Sequence, residues 1–333
     1  QHSYSFGGPP DDDFILLRYT VTNVGDNYLN DVYIAAYLDA DVWHPAMRDG
    51  FADDFVGSRW VLTDDGNDSL FVGYAADNDG DPSSEGAWNQ YSARSVFAAT
   101  LLDPPSSQKN GFNWWLSSAN SCLDWGPRLK IHVRPFGTDA SGTPEGDRNK
   151  YYVLSNPETD FNQLLSGTDE ILSDWSAPPS CLTNPYMADT RFLLSFGGFD
   201  LAPGDSVQFG LAIVLGENLH RNPNDFHDLF DFAQPQVFYN SLDFSDLERN
   251  VKAASNLYDH LLYGLTGDVD NSGEVSLTDV VSLADFLFLQ GASPRFLNAA
   301  DVNGDCEVDL KDVLWLLRFL YRGGSLTRAG CVE

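Results

Sequence analysis

Twelve consecutive residues, Asp268 to Asp279, place oxygen-bearing side chains at their first, third, fifth, ninth and twelfth positions: Asp268, Asp270, Ser272, Ser276 and Asp279. The seventh residue, Glu274, offers its backbone carbonyl. The pattern recurs from Asp301, with Asp301, Asn303, Asp305, Asp309 and Asp312 as the oxygen carriers and Glu307 in the carbonyl position. At this spacing a loop wraps a hard cation. Calcium takes six to eight oxygens at about 2.3–2.6 Å and tolerates a flexible acidic loop, whereas the magnesium octahedron would be strained by it. An acidic turn capping a helix would account for one carboxylate but not for the ladder. Two calcium sites are therefore expected.

Each loop runs into an apolar segment, Val280 to Leu289 and Val313 to Tyr321, expected to be helical. A longer helix is expected earlier, at Ser245 to Tyr263. It opens on the capping box Ser245-Asp246-Leu247-Glu248 and repeats Leu247, Val251, Ala254, Tyr258, Leu261 and Leu262 at helical spacing. Only Gly264-Leu265-Thr266-Gly267 separates it from the first loop, which suggests a rigid connection rather than a swinging tether.

At these residues, from about Gly267 to Gly324, the chain resembles a dockerin domain, the paired calcium-loop-and-helix module of secreted bacterial proteins. Closure of each loop by Asp279 and Asp312, where an ordinary EF-hand has Glu, is part of the resemblance. It implies that the residues before the closing Asp, Leu277-Thr278 and Leu310-Lys311, contact a partner cohesin. Near-identity of the two copies would permit two binding orientations; here the copies match in part. One departure concerns the sharp turn at the sixth position, which wants positive φ: Gly273 satisfies it in the first loop, but Cys306 stands there in the second. The second site is expected to be weaker or differently shaped.

Composition sets the surroundings. The 333 residues hold 49 acidic against 19 basic side chains, a formal charge of −30, so nucleic acid and anionic membranes are unsuitable partners. With 43% hydrophobic residues a sizeable core is expected rather than disorder. No apolar run approaches the ~20 residues of a membrane span. Gln1 is expected as a mature N-terminus. Four cysteines, Cys122, Cys181, Cys306 and Cys331, group by region into Cys306 with Cys331 and Cys122 with Cys181, although three connectivities are formally open. Paired cysteines and calcium loops together point to an oxidising extracellular or cell-surface setting.

Residues 1 to 244 read as an antiparallel β-sandwich with long inserted loops, followed by the connecting helix 245–263 and a small α-helical module at 264–333. Strands are expected at Phe14 to Thr22, Val32 to Leu38, Leu70 to Ala75 and Val96 to Leu102. A late hairpin is expected from Arg191 to Phe196 and Ser206 to Leu215 around Pro203-Gly204-Asp205. Short phrases around Thr20 to Gly25 and Leu201 to Asp205 resemble Ig-like modules of secreted bacterial proteins. The stretch 104–190, rich in Ser, Pro, Asn and Gly, is expected as an insertion.

Within the body, Asp77, Asp79 and Asp81 form a dense oxygen cluster that Asp39 with Asp41, or Asp53 with Asp54, could join as a further metal site; a solvated acidic turn is the alternative. Phe112, Trp114, Trp115, Trp88, Trp125 and Trp175 would serve either as a sugar-stacking platform or, as is usual for alternating aromatics in a β protein, as core. No HExxH, GxSxG elbow or phosphate-cradling glycine loop occurs, so no catalytic residue is assigned. Three readings follow. The first is a secreted, calcium-stabilised, non-catalytic structural or assembly protein that self-associates as a scaffold or filament subunit, with Gln1 to Phe6 a candidate to add to a neighbour's sheet. The second is an adaptor or carbohydrate-binding component recruited by a cohesin. The third is a divergent glycan hydrolase.

Overall fold

The computed structural model describes residues 1–8, 12–47, 50–63, 68–104, 109–117, 142–157, 159, 162–165, 189–231, 233–294 and 296–323. The chain forms two compact units, Gln1–Ala254 and Ser255–Glu333.

Among its described residues the first unit holds nine strands: β1 (His2–Ser5), β2 (Phe14–Thr22), β3 (Leu29–Leu38), β4 (Phe55–Leu62), β5 (Ser69–Ala76), β6 (Val96–Leu102), β7 (Lys109–Leu116), β8 (Thr190–Leu201) and β9 (Ser206–Gly216). Six of them make an antiparallel sheet in the order β1-β2-β9-β6-β5-β4, and three make a second in the order β3-β8-β7. The period of two explains how they meet. Phe112, Trp114 and Leu116 on β7, and Phe192, Leu194 and Phe196 on β8, all point to one face; Val207, Phe209 and Leu211 on β9 point back at them. Rings interlock across the gap: Phe71 meets Phe112 edge-on at 6.5 Å, and Phe196 meets Phe209 at 4.9 Å. The antiparallel sandwich expected from the sequence is therefore present.

Both sheets are also covered outside. Helix α1 (Asp147–Ser155) sets Val153 against Trp115 and Leu193, the alternate residues of β7 and β8. Short helices α2 (Asp225–Leu229) and α3 (Pro235–Tyr239) lead into α4 (Ser245–Tyr263), whose first turns lie against the six-stranded sheet. There Asn250 donates to the Leu215 carbonyl at 2.9 Å. A side chain at Gly216 would strike Leu247, with its Cβ only 2.7 Å from that of Leu247, so glycine is what lets helix and strand approach.

Four details differ from the sequence expectation. The strands flanking Pro203-Gly204 are not a hairpin, because β8 joins the small sheet and β9 the large one. The turn itself forms, with Asp205 N–H donating to the Ala202 carbonyl at 3.0 Å and Gly204 at φ 90°, but alternation is identical for both sheets and says nothing about which one a strand enters. The N-terminal segment pairs with β2 as the edge of its own sheet, His2 opposite Arg18. The stretch 104–190 supplies β7, a core strand, as well as α1. At the start of α4, the Ser245 N–H is accepted by Asp243 Oδ1 at 3.0 Å and Glu248 meets Arg59, in place of the reciprocal Ser245–Glu248 cap.

The second unit holds α5 (Leu277–Phe288), α6 (Leu297–Ala300) and α7 (Leu310–Arg322). Its core is Val269, Val280 and Leu283 packed with Ala300, Val302, Val313 and Leu316. Val269, Val280 and Leu283 recur in the second copy as Val302, Val313 and Leu316, so each half supplies the same apolar triplet and neither half alone would bury it. Among the described residues no helix is long and apolar enough to cross a membrane.

Candidate metal centres and docking face

The loops that precede α5 and α7 are shaped by their own backbones. In the first, Asp268 Oδ1 accepts the Ser272 N–H and Oδ2 the Gly273 N–H, both at 2.8 Å, while Asp270 Oδ1 accepts the Ser272 N–H at 3.0 Å. Asn271 and Gly273 take positive φ, 58° and 91°, which curls the chain around a centre. The twelfth residue closes the loop and starts the helix at once. Asp279 accepts the N–H of Asp270 at 3.1 Å through Oδ1 and that of Ser276 at 2.7 Å through Oδ2, while Ser276 caps α5 as the other half of a capping box. The ninth and twelfth ligand positions are thus the N-cap and the third residue of the helix. Asp268, Asp270 and Asp279 each bring a carboxylate oxygen within 4.8 Å of the others. That span suits a calcium ion with ligands near 2.4 Å on opposite sides.

The second loop repeats the frame. Asp301 Oδ1 accepts from Gly304 at 2.9 Å and its Oδ2 from Cys306 at 3.1 Å, and Asp309 with Asp312 forms the capping box of α7. Cys306 occupies the sharp turn at φ 66°, a conformation that costs a non-glycine residue about 1–2 kcal/mol. The side chains are engaged differently. Lys311 Nζ lies 2.9 Å from Asp305, 3.2 Å from Asp309 and 3.5 Å from Glu307, and Asn303 Nδ2 donates to Asp312 at 2.9 Å. The lysine holds Asp305 below the ordinary carboxylate range and is itself pushed up, while burial raises Asp312. In the first loop, hydrogen bonds led by that from Ser272 lower Asp270 instead.

Residues 266–321 match the family model of the dockerin type I domain. This segment is dockerin-like. No curated protein matches the chain. Dockerin type I domains bind calcium through paired EF-hand-like loops and bind cohesin partners, and the donor sets here, all oxygen, fit that ion.

The dockerin-like unit also exposes apolar side chains in duplicate. Leu277 and Leu310, assigned from sequence to partner contact, are each about half exposed, at 50% and 52%. Beside them stand residues that the sequence reading missed: Val281 and Phe288 on α5, and Leu314 and Tyr321 on α7, all exposed. Within each helix the three fall at i, i+4 and i+11, one stripe on one face. The clue was present, since each member has its counterpart at the repeat offset, but apolar residues in a helix read first as core. Thr278 and its counterpart Lys311 both donate their backbone N–H to the N-cap side chain, Ser276 and Asp309, but the Thr278 hydroxyl lies 2.6 Å from that of Ser276 whereas the Lys311 ammonium is turned to the carboxylates.

In the body the structure regroups the acidic candidates. Asp39 and Asp41 do not join Asp77, Asp79 and Asp81. They meet Asp189, all three within 4.8 Å, where Arg191 lies 3.2 Å from Asp39 and 2.7 Å from Asp189 and offsets part of the charge, while burial, Asp189 and Asp39 raise Asp41. Asp77, Asp79 and Asp81 instead lie with Asp53 and Asp54. Burial first, then mutual repulsion, raises Asp53 to about 6 and Asp77 to about 9; in Asp54, raised to about 8, a hydrogen bond from Val42 offsets part of the effect. Of the proposed aromatic platform, Phe112, Trp114 and Trp115 are core and cannot offer a flat outer surface, and Trp125 and Trp175 lie outside the described residues. No free cysteine occurs among the described residues, and Cys306 is disulfide-bonded; Cys122, Cys181 and Cys331 lie outside them.

Proposed function

We propose that this protein is a secreted component of an extracellular assembly, a β-sandwich body attached to a cohesin-bearing scaffold through its dockerin-like unit. The supporting observation is the duplicated apolar stripe, Leu277, Val281 and Phe288 on one helix and Leu314, Leu310 and Tyr321 on the other, left uncovered beside two calcium loops. Apolar surface repeated this way suits a protein partner and not a nucleic acid, which the charge of −30 would repel. Calcium has a structural part here. It fixes the loops that carry the N-caps of α5 and α7, and so fixes where the stripes point. We assign the ligands as Asp268, Asp270, Ser272, Ser276 and Asp279 with the Glu274 carbonyl, and Asp301, Asn303, Asp305, Asp309 and Asp312 with that of Glu307. Cys306 is assigned to pair with Cys331, which suits an oxidising compartment.

The body is assigned a non-catalytic part, as structure or adaptor. Its chemistry-capable groups support this: His220 contacts the Asp77 carbonyl at 2.8 Å inside the fold, and the aromatic cluster fills the sandwich. Self-association by donation of Gln1 to Phe6 loses ground to recruitment, because that segment already pairs with β2.

Titration of the full chain with a type I cohesin module tests this reading. Binding is expected in calcium and lost in EGTA. Leu277→Asp with Leu310→Asp should abolish it, each single change costing less because the other copy still docks. A calcium-loaded chain that ignores cohesins and instead forms ordered polymers would overturn recruitment in favour of self-assembly.

A further inference from the structure

Phe55 is paired with Ala76 at one end of the β4–β5 hairpin, so the residues just outside the pairing, Asp54 and Asp77, leave the sheet side by side. Asp53 precedes the first, and Asn78, Asp79 and Asp81 follow the second. A Cβ built at Gly50 would lie 3.6 Å from Asp81 Oδ2, so the two connections face each other beyond the strand ends. Asp54 and Asp77 are 1% and 0% exposed, and Asn78 is 7% exposed.

Half of this chemistry is used internally. Asp77 Oδ1 accepts the Asp79 and Gly80 N–H groups, Asp79 Oδ1 accepts that of Asp81 at 2.8 Å, and Asp54 Oδ2 accepts that of Val42 at 2.9 Å. The other half has nothing to bind. Asp53 Oδ1, Asp54 Oδ1, Asp77 Oδ2, Asn78 Oδ1 and Asp81 Oδ2 are all buried without a hydrogen-bond partner. No described lysine or arginine forms an ion pair with these carboxylates. Burying one carboxylate unpaired costs several kcal/mol, and here several share one pocket. Five orphan acceptors, all oxygen and with no nitrogen or sulfur donor among them, describe the inner wall of a hard-cation site.

We propose that the connections holding Asp53, Asp54, Asp77, Asn78 and Asp81 form a further calcium site, within the β-sandwich body and separate from the dockerin-like loops. The carboxylates are less tightly drawn than those of Asp268, Asp270 and Asp279, since no three of them fall in a common 4.8 Å set among the described residues. Binding therefore pulls the two connections inward, clamping the end of β4 to the end of β5.

The test is calcium titration calorimetry on the metal-stripped full chain, with thermal melting of the body in calcium and in EGTA. Wild type should take up one equivalent that Asp77→Asn loses, while the equivalents removed by Asp268→Ala with Asp279→Ala are lost separately; the combined variant loses both. Calcium should raise the melting temperature of the wild-type body and leave that of Asp77→Asn unmoved. In EGTA the variant should melt no lower than wild type, since Asn keeps the acceptor for Gly80 and is a near-isosteric neutral replacement. Should Asp77→Asn not fold, the less buried Asp81→Asn reads the same equivalent. Unchanged stoichiometry with an unchanged calcium-dependent shift would overturn the site.

Discussion

The two calcium loops share a frame and differ in what fills it. Both are closed by an aspartate that also caps a helix, and both place the first aspartate under backbone N–H groups. In the first loop the turn is glycine and three carboxylates face one centre. In the second the turn is Cys306, held at positive φ, and a lysine lies among the carboxylates. Loop conformation is thus set by a few backbone-directed hydrogen bonds, which tolerate changes elsewhere. Affinity depends on the oxygens left over, and the second loop has committed several of its own to Lys311.

The largest difference should appear when each loop is disarmed. Asp268→Ala with Asp279→Ala removes the first ligand, the last ligand and half of a capping box. At a hundredfold excess of calcium over Kd, losing one site forfeits about 2.7 kcal/mol, and losing the cap adds about 1 kcal/mol. Circular dichroism should report loss of α5 and a large drop in melting temperature. Asp301→Ala with Asp312→Ala should cost less, because a weaker site contributes less linkage. Equal losses would show that the lysine and the cysteine leave the second site unimpaired. Chelation of the wild type should resemble the first double variant more than the second.

A smaller effect isolates the turn. Cys306→Ser and Cys306→Gly both remove the disulfide, so the difference between them is the conformational cost at φ 66°. Glycine should leave the module more stable than serine by about 1–2 kcal/mol, read from melting in saturating calcium. Serine matching glycine would mean that the turn relaxes once the disulfide is gone.

What could be read in advance divides along the same physical line. The loops were legible because calcium ligation fixes residue type at fixed spacing, β2 and β6 because strand-forming residues run together there, and α4 because its apolar positions recur at helical spacing. The sheet to which β8 and β9 belong was not, since a strand alternates identically in either. The meeting of Asp53 and Asp54 with Asp77 was legible only as one of two alternatives, and the Phe55–Ala76 register is what decides for it. Asp39 and Asp41 looked equally suited to that cluster, yet they gather with Asp189, and Arg191 on β8 pairs with Asp39 and Asp189. The outer stripe of Val281, Phe288, Leu314 and Tyr321 was masked by its own composition, because an amphipathic helix with two apolar faces reads as one with a wide core face.

The smallest change tests the lysine itself. Lys311→Thr makes the pair before the closing aspartate read Leu-Thr in both copies, as at Leu277-Thr278. Lys311 is exposed, so its ion pairs are screened and the gain from removing it is modest. Calcium should bind the second loop a few-fold more tightly, with the difference from wild type shrinking as salt rises, since the competing cation is a side chain held at the surface. Cohesin titration of the same variant asks a second question. With the two stripes flanked alike, docking through α7 should approach docking through α5, so that Leu277→Asp alone costs less in the Lys311→Thr background than in wild type. A variant whose calcium affinity and salt dependence both stay at wild-type values would show that Lys311 yields to the ion without competing, and the contrast between the loops would then rest on Cys306.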